Sequence, residues 1–122
     1  MYDNISECLS SMGQINITLS RFDEAYSFFK ESYSIDSLNK DYVNMSSSLI
    51  NIGNVFLYQG KYDLAIETFL KSVSINRELV LSCDKKIVLI AKKAMTYAYN
   101  NIGNVNLKQK TIPWHQIIIC NH

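Results

Sequence analysis

The sequence contains few of the residues that interrupt regular structure. One proline and four glycines among 122 residues argue against disorder and against a loop-rich fold. No apolar run approaches the roughly 18 residues that a membrane span needs. The amino terminus lacks the basic start and apolar middle of a signal peptide. Because nearly half of the residues are apolar, enough for a core, we expect one domain of a soluble, cytoplasmic protein.

Cysteine and histidine are equally scarce. Cys8, Cys83 and Cys120 form no Cys-x-x-Cys pair, and their odd number fits a reducing compartment better than a disulfide framework. The two histidines, His115 and His122, complete no Ser-His-Asp or Cys-His arrangement, and their spacing around Cys120 fits no standard zinc pattern. The glycines form no phosphate-binding motif. The sequence therefore predicts no enzyme, no cofactor and no metal site.

Two apolar patterns with helical spacing lie on either side of Gly60. They comprise Met45, Leu49, Ile52 and Phe56 upstream, and Tyr62, Ala65, Ile66, Phe69, Leu70 and Val73 downstream. Gly60 can end the first helix, so the pattern predicts an antiparallel helix pair. Gly53 costs about 1 kcal/mol inside a helix, and we interpret Gly53 and the facing Ala65 as small residues that let the two helices approach closely.

The same pattern occurs more than once along the chain. A shift of 40 residues places Gly13, Ala25 and Phe29 on Gly53, Ala65 and Phe69. A shift of 50 turns the segment Asn51–Val55 into Asn101–Val105, with Gly103 on Gly53. Periods in this range are typical of stacked helical repeats.

These residues resemble the tetratricopeptide repeat family. The family's apolar-Gly pair, aromatic, alanine and second aromatic are matched by Ile52-Gly53, Tyr62, Ala65 and Phe69, and by Met12-Gly13, Phe22, Ala25 and Phe29. Its usual repeat is about 34 residues long, so this sequence resembles a long-helix variant, with repeats of about 40. The resemblance implies an all-α fold, an α-solenoid of stacked antiparallel hairpins forming a right-handed superhelix of about two and a half repeats.

The resemblance and the turn residues predict the domain boundaries. The repeat domain covers residues 1–110, with repeats at about 2–40 and 41–82 and an incomplete repeat at 84–110. Ser20 is expected to start the second helix in a capping pattern with Asp23, and Asp41 and Asp84 to cap the third and fifth helices. Ten extra residues before the third repeat are expected to lengthen two antiparallel helices by about five residues each.

Residues 111–122 break the pattern. This tail is either an atypical cap or not a native part of the domain, and we favour the second explanation. If it does not pack, the unpaired fifth helix exposes an apolar face, which favours self-association.

The resemblance also implies a binding surface, since the family binds peptides on the concave side lined by the first helix of each hairpin. The matching positions are Gln14, Asn51, Asn54, Leu57, Tyr58, Asn101, Asn104 and Lys108. An asparagine side chain can both donate to and accept from a peptide backbone. Alternatively, these asparagines only cap or hydrate the helices locally.

Charge is unevenly distributed. Residues 1–76 hold five basic and nine acidic residues, whereas residues 77–122 hold seven and two. Lys85, Lys86, Lys92 and Lys93 share one helical face, which is either a solubilising surface or the site of an acidic partner. Nucleic acid is a weak hypothesis, because aromatic residues and arginine are not interleaved with these lysines.

The leading hypothesis for function is a protein–protein interaction module that binds a peptide segment of an unidentified partner, in a scaffold or adaptor role. The alternative is the sensory or regulatory region of a larger signalling protein, such as a sensor kinase or a peptide-responsive regulator.

Overall fold

The chain folds into five consecutive α-helices. The computed structural model describes residues 2–110, and the side chains of residues 5–108. The helices are α1 (Tyr2–Thr18), α2 (Phe22–Leu38), α3 (Tyr42–Tyr58), α4 (Tyr62–Leu79) and α5 (Lys85–Lys110), and the described residues contain no strand. Each helix packs against the next one, and α3 also contacts α5. The predicted all-α solenoid of helical hairpins is therefore confirmed.

Three turns with the same geometry set the length of the repeat. Ser20, Lys40 and Gly60 have φ values of 60°, 56° and 75°. At the third turn, Gly60 N–H donates to the Leu57 carbonyl at 3.1 Å and Lys61 N–H donates to the Phe56 carbonyl at 2.8 Å. The same two bonds occur after α1 and α2, as in the Schellman motif that ends helices. Gly60 thus ends α3 as predicted.

The prediction that Ser20 begins α2 was wrong. Ser20 lies in the left-handed turn after α1, and the residue that precedes α2 is Arg21, whose side chain makes no capping hydrogen bond. The turn requires one residue with positive φ, and Ser20 occupies that position.

The turns also predict which substitutions stabilise the fold. An ordinary residue in the left-handed backbone conformation lowers the stability by about 1–2 kcal/mol. Glycine avoids this cost, but part of the gain is offset because glycine loses more conformational entropy on folding. We expect Ser20→Gly and Lys40→Gly each to raise the free energy of unfolding by about 0.5–1 kcal/mol, measured by urea denaturation. Gly60→Ser, the reverse change at the third turn, should lower it. Stability that falls in both glycine variants would contradict this explanation.

The extra residues near the third hairpin do not divide equally. The helices α1, α2 and α3 have 17 residues each, α4 has 18 and α5 has 26. The prediction of about five added residues in each of two helices was therefore wrong, since most of the added length lies in α5. Asp84 fixes the start of this helix, because its Oδ1 accepts a hydrogen bond from Lys86 N–H at 2.9 Å. Asp41 caps α3 in the same way, accepting from Asn44 N–H at 3.2 Å.

The core contains one repeated contact. The fully buried ring of Phe29 covers Gly13, and the fully buried ring of Phe69 covers Gly53. A Cβ atom added to Gly13 would lie 2.5 Å from the Phe29 ring, and one added to Gly53 would lie 2.6 Å from the Phe69 ring. The sequence correctly indicated close packing at Gly53, but the residue that lies over it is Phe69 rather than Ala65.

A polar network is buried beside each of these contacts. In the first hairpin, the Ser6 hydroxyl lies 2.7 Å from the Ser32 hydroxyl and donates to Asp36 Oδ1 at 2.7 Å. In the second hairpin, Ser46 and Ser72 make the same contact at 2.8 Å, and Asn76 Nδ2 donates to Ser46 Oγ at 2.6 Å. All six residues are at most 3 % exposed. The network therefore joins the two helices of each hairpin inside the core, where unpaired polar atoms would be costly.

Candidate functional site

The predicted binding residues lie on α1, α3 and α5, the first helices of the three predicted repeats. A cleft of about 390 Å³ separates α1 from α3 on this face. Its lining residues are all polar and include one charged residue, Glu7: they are Ser6, Glu7, Ser10, Ser11, Asn44, Ser47, Ser48 and Asn51. The cleft therefore offers hydroxyl and amide groups to a ligand.

The predicted amide side chains bond to one another between neighbouring first helices. Gln14 Nε2 donates to Asn51 Oδ1 at 3.0 Å, which links α1 to α3. Asn101 Nδ2 donates to Asn54 Oδ1 at 3.0 Å, and Asn54 Nδ2 donates to the Tyr97 hydroxyl at 3.1 Å, which links α3 to α5. The amides are thus not limited to capping their own helices, and they align three successive first helices.

These bonds leave different capacities for a ligand at Asn51 and Asn54. Asn54 uses both its oxygen and its nitrogen within the protein. The one hydrogen bond of Asn51 to the described residues is accepted by its oxygen, so its two N–H donors remain available. Asn51 also lines the polar cleft, whereas Asn54 does not. The geometry therefore favours Asn51 over Asn54 as a ligand contact.

The remaining predicted residues have separate environments. Leu57 is half-buried and packs against the core that contains Ala65 and Phe69. The Tyr58 ring is 58 % exposed and stacks on the Phe22 ring at a centroid distance of 5.9 Å. Asn104 and Lys108 are exposed near the end of α5. None of these four residues lines the cleft between α1 and α3.

Several cleft residues were not identified from the sequence, among them Glu7, Asn44 and Ser47. Asn44 and Ser47 precede Asn51 by seven and four residues, so all three share one helical face. That spacing was a usable signal, because it extends the predicted face by two turns toward the start of α3.

No group of three or more histidine, cysteine, aspartate or glutamate residues that could hold a metal ion occurs in the part of the chain that the structure describes. His115, Cys120 and His122 lie outside that part, as does the whole tail at residues 111–122. Within residues 2–110, none of the helices is long and apolar enough to cross a membrane.

Stacked hairpins of near-equal helices, with glycine–phenylalanine contacts inside and a polar face on the first helices, define a helical repeat protein without a recognisable reaction centre in its described residues. The model of the tetratricopeptide repeat family matches residues 4–78, and the chain belongs to that family. The family is generally a non-catalytic fold whose domains bind protein partners. None of the curated proteins matches the chain.

Proposed function

We propose that the chain binds an extended peptide segment of a partner protein in the polar cleft between α1 and α3, and so acts as a scaffold or adaptor. The observation that carries the proposal is Asn51, whose N–H donors have no partner among the described residues while its oxygen is held by Gln14. A peptide carbonyl can accept from these donors. Because the Gln14 bond fixes the amide, little rotamer entropy is lost on binding.

Other side chains of the cleft also support recognition of a peptide backbone. The hydroxyls of Ser11 and Ser47 lie on opposite walls, on α1 and α3. Each can donate to or accept from a peptide group. Cys8 and Cys83 are free, exposed thiols, which fits the proposed action in the reducing cytoplasm.

The proposal predicts the effect of one substitution on partner binding. We expect Asn51→Ala to weaken binding of a captured peptide segment by about three- to tenfold, the equivalent of one hydrogen bond. The partner is first captured from a lysate of the source cells and identified by mass spectrometry. The interacting segment is then synthesised and titrated by fluorescence anisotropy.

Asn104→Ala is the matched control, since Asn104 is an exposed asparagine outside the cleft. This variant should bind the segment as the original chain does, and both variants should keep the helical circular dichroism spectrum. Undiminished binding by Asn51→Ala would exclude the cleft as the peptide site. Equal losses of affinity in both variants would place the contact elsewhere on the surface that carries the predicted asparagines.

A further inference from the structure

Within residues 5–108, the surface of α5 around Gly103 lacks a contact that both earlier hairpins make. Phe29 covers Gly13 and Phe69 covers Gly53, but a Cβ atom added to Gly103 would meet no described residue within 4 Å. Gly103 is exposed, and Leu89, fourteen residues earlier on the same side of α5, is 54 % exposed. Among the residues that the structure describes, this glycine surface is therefore free to receive a helix that carries a suitable aromatic residue.

The same side of α5 is positively charged. The helix contains six lysines and no acidic residue. Lys92 and Lys85 precede Gly103 by eleven and eighteen residues, close to three and five whole helical turns, so both lie in line with it. Both lysines are exposed, and neither forms an ion pair with any of the described residues. A helix lying along α5 would therefore pass over Gly103 and then over two unpaired positive charges.

The two complete hairpins define the register of such a helix. In the first, Phe29 lies over Gly13, and Asp36, seven residues later, bonds to Ser6, seven residues earlier. In the second, Phe69 lies over Gly53, and Asn76 bonds to Ser46 at the same offsets. Seven residues toward the start of the first helix of a hairpin thus correspond to seven residues toward the end of its second helix. A helix with an aromatic residue over Gly103 would bring its eleventh and eighteenth following residues over Lys92 and Lys85.

We propose that α5 docks an acidic amphipathic helix of a partner protein. The docked helix carries a small residue four positions before an aromatic residue, as Ala25 precedes Phe29 and Ala65 precedes Phe69. It carries aspartate or glutamate eleven and eighteen positions after that aromatic residue. The aromatic ring covers Gly103, and the carboxylates pair with Lys92 and Lys85.

Neither the segment 111–122 nor a second copy fits this description equally well. Residues 111–122 contain no aspartate or glutamate. The Ala–Phe ridges of α2 and α4 are fully buried in their own hairpins, so a folded second copy cannot present them. The surface on α5 shares no residue with the polar cleft, and its occupant is independent of the peptide proposed there.

The test uses the full chain and two synthetic fluorescent helices of identical composition. The first carries Ala, Phe and two Glu in the predicted register. The second has the two Glu residues moved to nine and sixteen positions after Phe, which turns them to the opposite side of the helix. We expect the first peptide to bind about fivefold more tightly at low salt, as two exposed ion pairs allow, and the difference to shrink at high salt.

Variants of the chain separate the two contacts. Gly103→Val should weaken binding of the first peptide about tenfold, because the aromatic ring can no longer approach the helix backbone. Lys85→Glu/Lys92→Glu should remove the preference for the first peptide and create one for a peptide with lysines in the same register. Lys30→Glu/Lys61→Glu, with the same change in net charge elsewhere, should keep the original preference. Asn51→Ala should bind the peptide normally, which separates this site from the polar cleft.

Equal affinity for the two peptides, no binding of either to the full chain, or full affinity after Gly103→Val would overturn the proposal. Sedimentation of the chain alone tests the second copy. A dimer that Gly103→Val dissociates would mean that another copy covers α5, and would also overturn the proposal.

Discussion

Phe69→Ala is expected to lower the free energy of unfolding by about 3–5 kcal/mol, the usual cost of removing a buried aromatic ring. The ring of Phe69 is fully buried over Gly53, and it belongs to the core cluster that also contains Ala98 and Val105 of α5. Its loss therefore opens a cavity where three helices meet. Equilibrium urea denaturation followed by circular dichroism measures the change, and because domains are typically stable by only about 5–15 kcal/mol, partial unfolding without urea is within range.

Leu70→Ala is the control for this prediction. Leu70 is the next residue on the same helix, but it is 48 % exposed. Its replacement should change the free energy of unfolding by about 1 kcal/mol or less, because only part of its apolar area is buried. Similar losses for the two variants would mean that Phe69 does not hold α3, α4 and α5 together.

Gly53→Val is expected to lower the free energy of unfolding by about 2–3 kcal/mol, the range for overpacking a core. A Cβ atom at this position would lie 2.6 Å from the Phe69 ring, so the ring or the helix must move. On helix propensity alone, valine would be the better residue, by a few tenths of a kcal/mol. Packing therefore outweighs helix propensity, and the free energy of unfolding should fall. Urea denaturation measures this change.

Gly103→Val provides the matched comparison, because a Cβ atom there meets none of the described residues within 4 Å. We expect a change within about 0.5 kcal/mol, as for other exposed positions. A double-mutant cycle of Gly53→Val with Phe69→Leu tests the cause. If the ring is the obstacle, the double variant should be more stable than the sum of the two single effects predicts, by about 0.5–3 kcal/mol. Strict additivity would sink this explanation.

The helices and the turn at Gly60 were predictable from the sequence because apolar spacing and glycine are local signals. Ser20 and Lys40 were not, since neither residue type favours left-handed backbone. They adopt it because the packing of the flanking helices requires the same turn that Gly60 makes. The sequence also could not show how the ten extra residues divide between α4 and α5. Where α4 ends depends on the irregular link after Leu79, and that link carries no periodic signal.

The sequence predicted where the asparagines lie, but not which hydrogen bonds they make. Spacing placed Asn51, Asn54 and Asn101 on the first helices, and they lie there. Their hydrogen bonds depend on side-chain distances across helices that are nearly 40 or 50 residues apart in sequence. A repeat pattern indicates which positions correspond, but it does not determine the distance between their side chains. That distance decides whether an amide contacts its neighbour or a ligand. Asn51 and Asn54 could therefore be distinguished only in the structure.

The buried serine networks have a consequence for the alignment of the helices. Two smooth apolar ridges can slide past each other by one turn and still bury most of their area. In this chain such a slide would leave the Asp36 carboxyl and the Asn76 amide without the hydroxyls of Ser6 and Ser46. Each buried hydrogen bond that is lost in this way costs about 0.5–1.5 kcal/mol. The serine networks therefore favour one alignment of the two helices in each hairpin. Successive hairpins stack on helices that are aligned in this way.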